Sequence, residues 1–195
     1  MLILVLAIAA IAGAGDDLDD GGDVATDDPP RTGPPAPRRG FGDGTRLVHD
    51  EVTPGLYLAT EADGCHWERR RSVQGRSGQI IAADDVSGQA IVEIVATDVA
   101  FHSIGCGRWV RFVAPPSPAD SFGDGDYGVN TQIQPGRYRS AGGSPCYWVR
   151  STNFRREGVE GVIADGNVDG PAVVEIARND VAFSSSGCGG WRRVS

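Results

Sequence analysis

The sequence has 195 residues, 26 acidic and 18 basic side chains, and a net charge of -8. That balance argues against a nucleic-acid binder, which needs a basic stripe to displace counterions from phosphates. The 28 glycines and 12 prolines break the chain into short apolar runs, the signature of many short strands joined by turns.

The chain opens with an unbroken apolar run from Leu2 to Ala12. It is too short for a stable bilayer span and has the length of an export-signal core. Ala12-Gly13-Ala14 puts small residues where a signal peptidase reads, so residues 1–14 are expected to be a signal peptide cleaved after Ala14. No Lys or Arg precedes the run, which leaves an uncleaved N-terminal anchor as the other reading. Contact with a membrane is expected only in that case. Residues 15–40 carry seven aspartates, then five prolines and three arginines, with almost nothing apolar. Such a stretch buries too little to offset its ordering entropy, and it reads as a disordered acidic, Pro-rich linker.

From residue 41 the chain repeats itself. FGDG (41–44), PGLY (54–57) and CHW (65–67) return as FGDG, PGRY and CYW at a spacing of 81 residues. AIVEIVATDVAF (90–101) returns as AVVEIARNDVAF at a spacing of 82, so one residue has been inserted in between. A loop is the expected place, because a one-residue slip inside a strand would turn its faces inside out. The expected domains are 41–113 and 122–195, separated by a Pro-rich linker, 114–121. No window keeps a helical apolar period, and each copy reads as roughly five to seven short strands. The fold class is therefore all-β, with two tandem small antiparallel β-sandwich or barrel modules.

Each copy carries two of the four cysteines, Cys65 and Cys106, then Cys146 and Cys188. In an exported chain of small modules these read as disulfides, and no C-x-x-C or C-x-x-H pair suggests zinc. Four cysteines allow three pairings. The near-equal spacing in the two copies favours Cys65–Cys106 with Cys146–Cys188, each closure contributing about 4 kcal/mol in the chain-entropy model.

The repeat also screens candidates for chemistry. Asp43/Asp124, Glu93/Glu175, Asp98/Asp180, Ser103/Ser185 and Arg111/Arg193 occur in both copies, whereas His49, His66 and His102 face Asn130, Tyr147 and Ser184. No Ser or Cys sits in a nucleophile-elbow context, and a strand glutamate with a turn aspartate is the plainer account of Glu93 and Asp98. The run Asp165–Asp169 with Gly170 matches the start of a calcium loop, but the closing acid falls on Ile176, and a polar turn is expected instead. The arginines of 68–76 and 150–157 are expected to form a solvated face. Trp67, Trp109, Trp148 and Trp191 flank the cysteines and are expected to pack in the core rather than to form a sugar-stacking platform. No catalytic residue, metal or cofactor is expected, and no ligand-binding residue is assigned.

The set F-G-D-G, P-G-x-Y, C-x-W and D-V-A-F-x-S-x-G-C-G-x-W, present in both copies, resembles a module of exported proteins and lipoproteins of actinobacteria. The resemblance covers most of residues 41–195 and implies an exported, envelope-associated protein. The expected function is non-enzymatic binding of an envelope component, a cell-wall glycan or a surface protein, with two copies adding avidity. A purely structural spacer is the alternative, and a hydrolase a remote one.

Overall fold

The structure, a computed structural model, describes residues 40–195. The expected signal peptide (1–14) and all but the last residue of the expected linker (15–40) lie outside the described residues. The first module consists of β1 (Phe41–Leu47), β2 (Gly55–Ala59), β3 (Cys65–Arg70), β4 (Ile80–Val86), β5 (Ala90–Ile94) and β6 (Ala100–Arg111). They form one antiparallel sheet in the order β4-β3-β6-β2-β5, with β1 also on β6. The second module consists of β7 (Ser121–Phe122), β8 (Gly125–Gly128), β9 (Gly136–Ser140), β10 (Gly143–Ser151), β11 (Val162–Gly170), β12 (Val173–Ile176), β13 (Ala182–Ser186) and β14 (Trp191–Arg193). Its strands form two four-stranded sheets, β11-β10-β13-β8 and β12-β9-β14-β7. Both modules are all-β with curled sheets.

The two topologies are the same. β1 corresponds to β7 plus β8, and β6 to β13 plus β14. The difference lies at the corner of the long strand. Its first half pairs with β3 and its second half with β2, while β1 follows both. The chain turns the corner at Gly105 and Gly107, whose φ values of 71° and 73° are left-handed and nearly free of cost only to glycine. The sheet thus wraps around Trp67, Phe101, Trp109 and Tyr57, all buried, with the Phe41 ring packed against Phe101 and Trp109.

The corner explains why FGDG and SxGCGxW recur together. The Asp43 carboxylate accepts from Ser103 Oγ at 2.7 Å and from the Cys106 and Gly107 amides at 3.2 Å. Ser103 Oγ in turn accepts from Trp109 Nε1 at 3.0 Å. In the second module Asp124 accepts from Ser185, Cys188 and Gly189, and Ser185 from Trp191, at 2.9 to 3.1 Å. Disulfides Cys65–Cys106 and Cys146–Cys188 then tie the corner to β3 and β10. The polar groups exposed by bending the strand thus find partners, as burial requires.

The 82-residue spacing begins in the connection between β10 and β11. Cys65 pairs with Val86 and Cys146 with Val168, so the registers are equivalent and the extra residue sits in the loop. That loop, residues 152–161, reaches across to the first module. Phe154 packs with Ile91 and Ala182, against Leu56, Leu58 and Phe112. The outer edge of β5 is also covered. The Ile91 amide donates to the Asp126 carboxylate at 2.9 Å, the Glu93 amide to the Phe154 carbonyl at 3.1 Å, and the Asp126 amide to the Gln89 carbonyl at 2.8 Å. The two modules are one compact unit, not two beads on a linker.

Candidate functional site

Of the arginines expected on a solvated face, Arg71, Arg76 and Arg155 are exposed, while Arg69, Arg70, Arg150 and Arg156 are buried or half-buried and paired. Arg69 is fully buried and Arg70 nearly so. Arg69 donates to the Asp98 carboxylate from Nε and Nη2 at 2.8 and 2.9 Å. Its Nη1 reaches the Arg155 carbonyl and Glu157, both at 2.9 Å, in the crossing loop. Arg156 lies between two carboxylates, Asp84 of the first module at 3.2 Å and Asp126 of the second at 2.6 Å, and also donates to Ser184. Arg155 pairs with Glu93 through two contacts of 3.1 Å. The expectation failed for the paired arginines because arginine runs usually lie in water, whereas here Asp98 and Glu157 hold Arg69, Glu68 holds Arg70, Asp180 holds Arg150, and Asp84 and Asp126 hold Arg156.

Burial and the nearby Asp126 push the Asp84 carboxyl up to about 6, against the pull of Arg156. Arg156 itself stays charged, its two carboxylates outweighing its burial. A small polar hollow of about 170 Å³ opens beside this cluster, lined among others by Asp84, Asp126, Tyr147 and Ser184. Its charged groups already hold one another, so its evident work is to join the modules.

The three histidines do not converge on a site. His49 bonds the Ala96 carbonyl at 2.9 Å, and its counterpart Asn130 bonds the Arg178 carbonyl at 2.9 Å. Both adopt left-handed backbone, with φ of 80° and 63°. The exchange is therefore between two side chains doing one turn-closing task. His66 lies between Asp85 at 2.9 Å and Glu68 at 3.1 Å; Glu68 foremost, then Asp85, raises its pKa against burial. His102 bonds Thr45 at 2.9 Å, and burial lowers its pKa. Glu93 and Asp98 serve different ion pairs, and Asp98 also caps the Val95 amide at 2.9 Å. No acid–base pair is formed by them.

Asp165 and Asp169 lie on strand β11 rather than in a loop. Alternate residues of a strand are about 7 Å apart along the chain, so Asp165, Asn167 and Asp169 cannot gather round one ion. Asp169 accepts from Ser144 at 2.7 Å. Among the described residues no group of three or more ligands could hold a metal. Trp67, Trp109 and Trp191 are buried, and the half-buried Trp148 packs on the second core. They do not form a sugar-stacking platform.

What the docked modules do create is a groove of about 500 Å³ between them. Leu56 and Phe112 come from the first module, Val129 and Val181 from the second, and Phe154 from the crossing loop. Thr131, Thr152, Asn153 and the Glu93–Arg155 pair supply polar groups at its margin. Apolar surface with a few convergent polar groups at a domain junction is the common form of a binding cleft. Apart from Glu93 and Arg155, these residues carry no mark in the sequence, since each is an ordinary strand or loop residue until the modules meet. The expected solvated face includes Arg69 and Arg150, although both copies carry an arginine at that place in C-x-W-x-R, the signal for the repeated pairs with Asp98 and Asp180.

A family model for the Rv1352-like extracellular domain matches residues 39–110 and again residues 119–192. No curated protein and no solved structure matches the chain.

Proposed function

This chain belongs to the Rv1352-like extracellular domain family, carried in two tandem copies, and from that premise we propose that it is a non-enzymatic extracellular binding protein. The two modules act as one compact unit, and the groove between them receives a component of the cell envelope, a glycan or another protein. The observation that carries this reading is the groove itself. Its apolar lining is contributed by both modules and the crossing loop, so the binding surface is a product of docking rather than a duplicate in each copy. The avidity expected from two separate sites gives way to one shared site. A non-enzymatic role agrees with the carboxylates and histidines, which are engaged in separate structural contacts.

Val181 lines the groove and is 44% exposed, so Val181→Arg should block it without disturbing the core. Purified wall glycan and surface-protein fractions are to be titrated against the wild-type chain and this variant. Binding by the wild type, lost in the variant with an unchanged circular dichroism spectrum, is the expected result. No binding of either fraction by the wild type favours the second reading, a structural spacer, which the inward-turned tryptophans and ion pairs also suit.

A further inference from the structure

The two copies use one sheet face in opposite ways. In the first module the outer face of β2, β5 and β6 carries Leu56, Leu58, Ile91 and Val110, with Phe112 just beyond the end of β6, and the crossing loop packs on Leu56, Leu58, Ile91 and Phe112. The same positions in the second module are Arg137, Arg139, Val173, Arg192 and Val194, all exposed. Leu58 lies opposite Val110 in the β2–β6 pair, and Arg139 lies opposite Arg192 in the equivalent β9–β14 pair. Like charges placed directly across a ladder repel, so fold stability does not account for them. None of the three arginines has an ion-pair or side-chain hydrogen-bond partner among the described residues. Glu175, opposite Arg137 in register, makes no ion pair with it.

A broad groove of about 580 Å³ runs over this face, lined by Arg139, Arg192, Ser121 and Val194 among others. In a chain of net charge -8, an arginine row with no ion-pair partner among the described residues stands apart from the prevailing charge. We propose that this face binds an acidic glycan, a carbohydrate polymer bearing carboxylates. Guanidinium forks match carboxylate oxygens in paired hydrogen bonds. Val173 and Val194, 49% and 54% exposed, flank the arginines and offer apolar contact to the CH-rich faces of sugar rings. A polyphosphate has no such faces, and a closed ion site would not be an open groove. This face is separate from the groove between the modules, so the two proposals stand or fall apart.

The test uses the purified chain with polygalacturonate, polyphosphate and neutral dextran, titrated calorimetrically at low and at moderate salt. Polygalacturonate is expected to bind at low salt and weaken as salt rises, and dextran not to bind. Arg139→Gln with Arg192→Gln should weaken polygalacturonate about tenfold or more. Val173→Ser with Val194→Ser should weaken polygalacturonate but leave polyphosphate unchanged. Absence of polygalacturonate binding at low salt overturns the proposal, as does undiminished binding by the folded arginine variant. Polyphosphate binding as tight as polygalacturonate, with the valines indifferent, overturns the glycan assignment.

Discussion

Arg69 grips Asp98 through two hydrogen bonds of 2.8 and 2.9 Å, with the two side chains 1% and 0% exposed. Arg150 and Asp180 repeat the pair at 2.7 and 3.0 Å, with the arginine 18% exposed. The copies differ in what lies beyond: only Arg69 goes on to hold Glu157 and the Arg155 carbonyl. Removing one partner of a buried pair strands the other charge, at a cost of about 3–5 kcal/mol. Arg69→Ala should reach that range in urea unfolding. Arg150→Ala should cost less, because its site is more open to water. Equal losses would show that the contact with the crossing loop adds nothing.

The crossing loop makes its own prediction. Arg156→Ala leaves Asp84 and Asp126 facing each other without their shared cation. We expect a loss of about 3–5 kcal/mol, with faster amide exchange at Ile91 and Glu93, whose N–H groups the second module caps. Glu93→Gln removes only a half-exposed pair with Arg155 and should cost about 0.2–1 kcal/mol. If Arg156→Ala left exchange at Ile91 and Glu93 unchanged, the modules would be held together by something else.

Asp84 gives the junction a pH dependence of unusual sign. Its folded carboxyl is raised from 3.8 to about 6, so between those values the folded state binds more protons than the unfolded one. Its stability contribution is complete below the lower value and is lost as pH rises through the upper one. Asp84→Asn, which mimics the protonated form, should match the wild type near pH 4. Near pH 7 it should be more stable by up to about 3 kcal/mol, the equivalent of two pKa units. Denaturation of both proteins across this range checks the slope. A variant less stable than the wild type at pH 7 would mean that the Arg156 contact outweighs the burial.

At the strand corner, Asp43→Ala removes the acceptor for Ser103 Oγ and two backbone amides. Ser103 and Cys106 are buried, and buried donors left without partners cost about 1–3 kcal/mol each, whereas the exposed Gly107 amide can turn to water. Asp124→Ala should behave alike, since Asp124 has the same partners in its own module. Thermal unfolding of the single and double variants reads this out.

Much of this architecture can be read in the residues themselves. FGDG, PGxY, CxW and the cysteine pairs recur in order, and recurrence marks the module, its strands and its corner. The match of Asp43 to Ser103 and Trp109 was half visible. All three recur, but nothing in linear order says that they touch across 60 residues. The docking was hidden for a physical reason. An apolar residue on a strand looks the same whether it faces its own core or a neighbour, so Leu56, Leu58 and Phe112 carried no mark. Their replacement by Arg137, Arg139 and Val194 was the available signal, because a face that is apolar in one copy and basic in the other is doing two things. The arginine runs misled for the converse reason, since burial of a cation depends on partners supplied from elsewhere in the chain.

Gly88 carries that asymmetry to the edge of the sheet. A Cβ there would lie 2.1 Å from the Asp124 carbonyl of the docked module, whereas at the matched Gly170 it would meet nothing within 4 Å. Beside them, Gln89 of the covered edge is replaced by Pro171, which lacks the amide and side-chain donors of a pairing edge. The edge and face that seat the second module in the first copy are thus replaced in the second by proline and arginine, so one module offers the seat and the other the occupant.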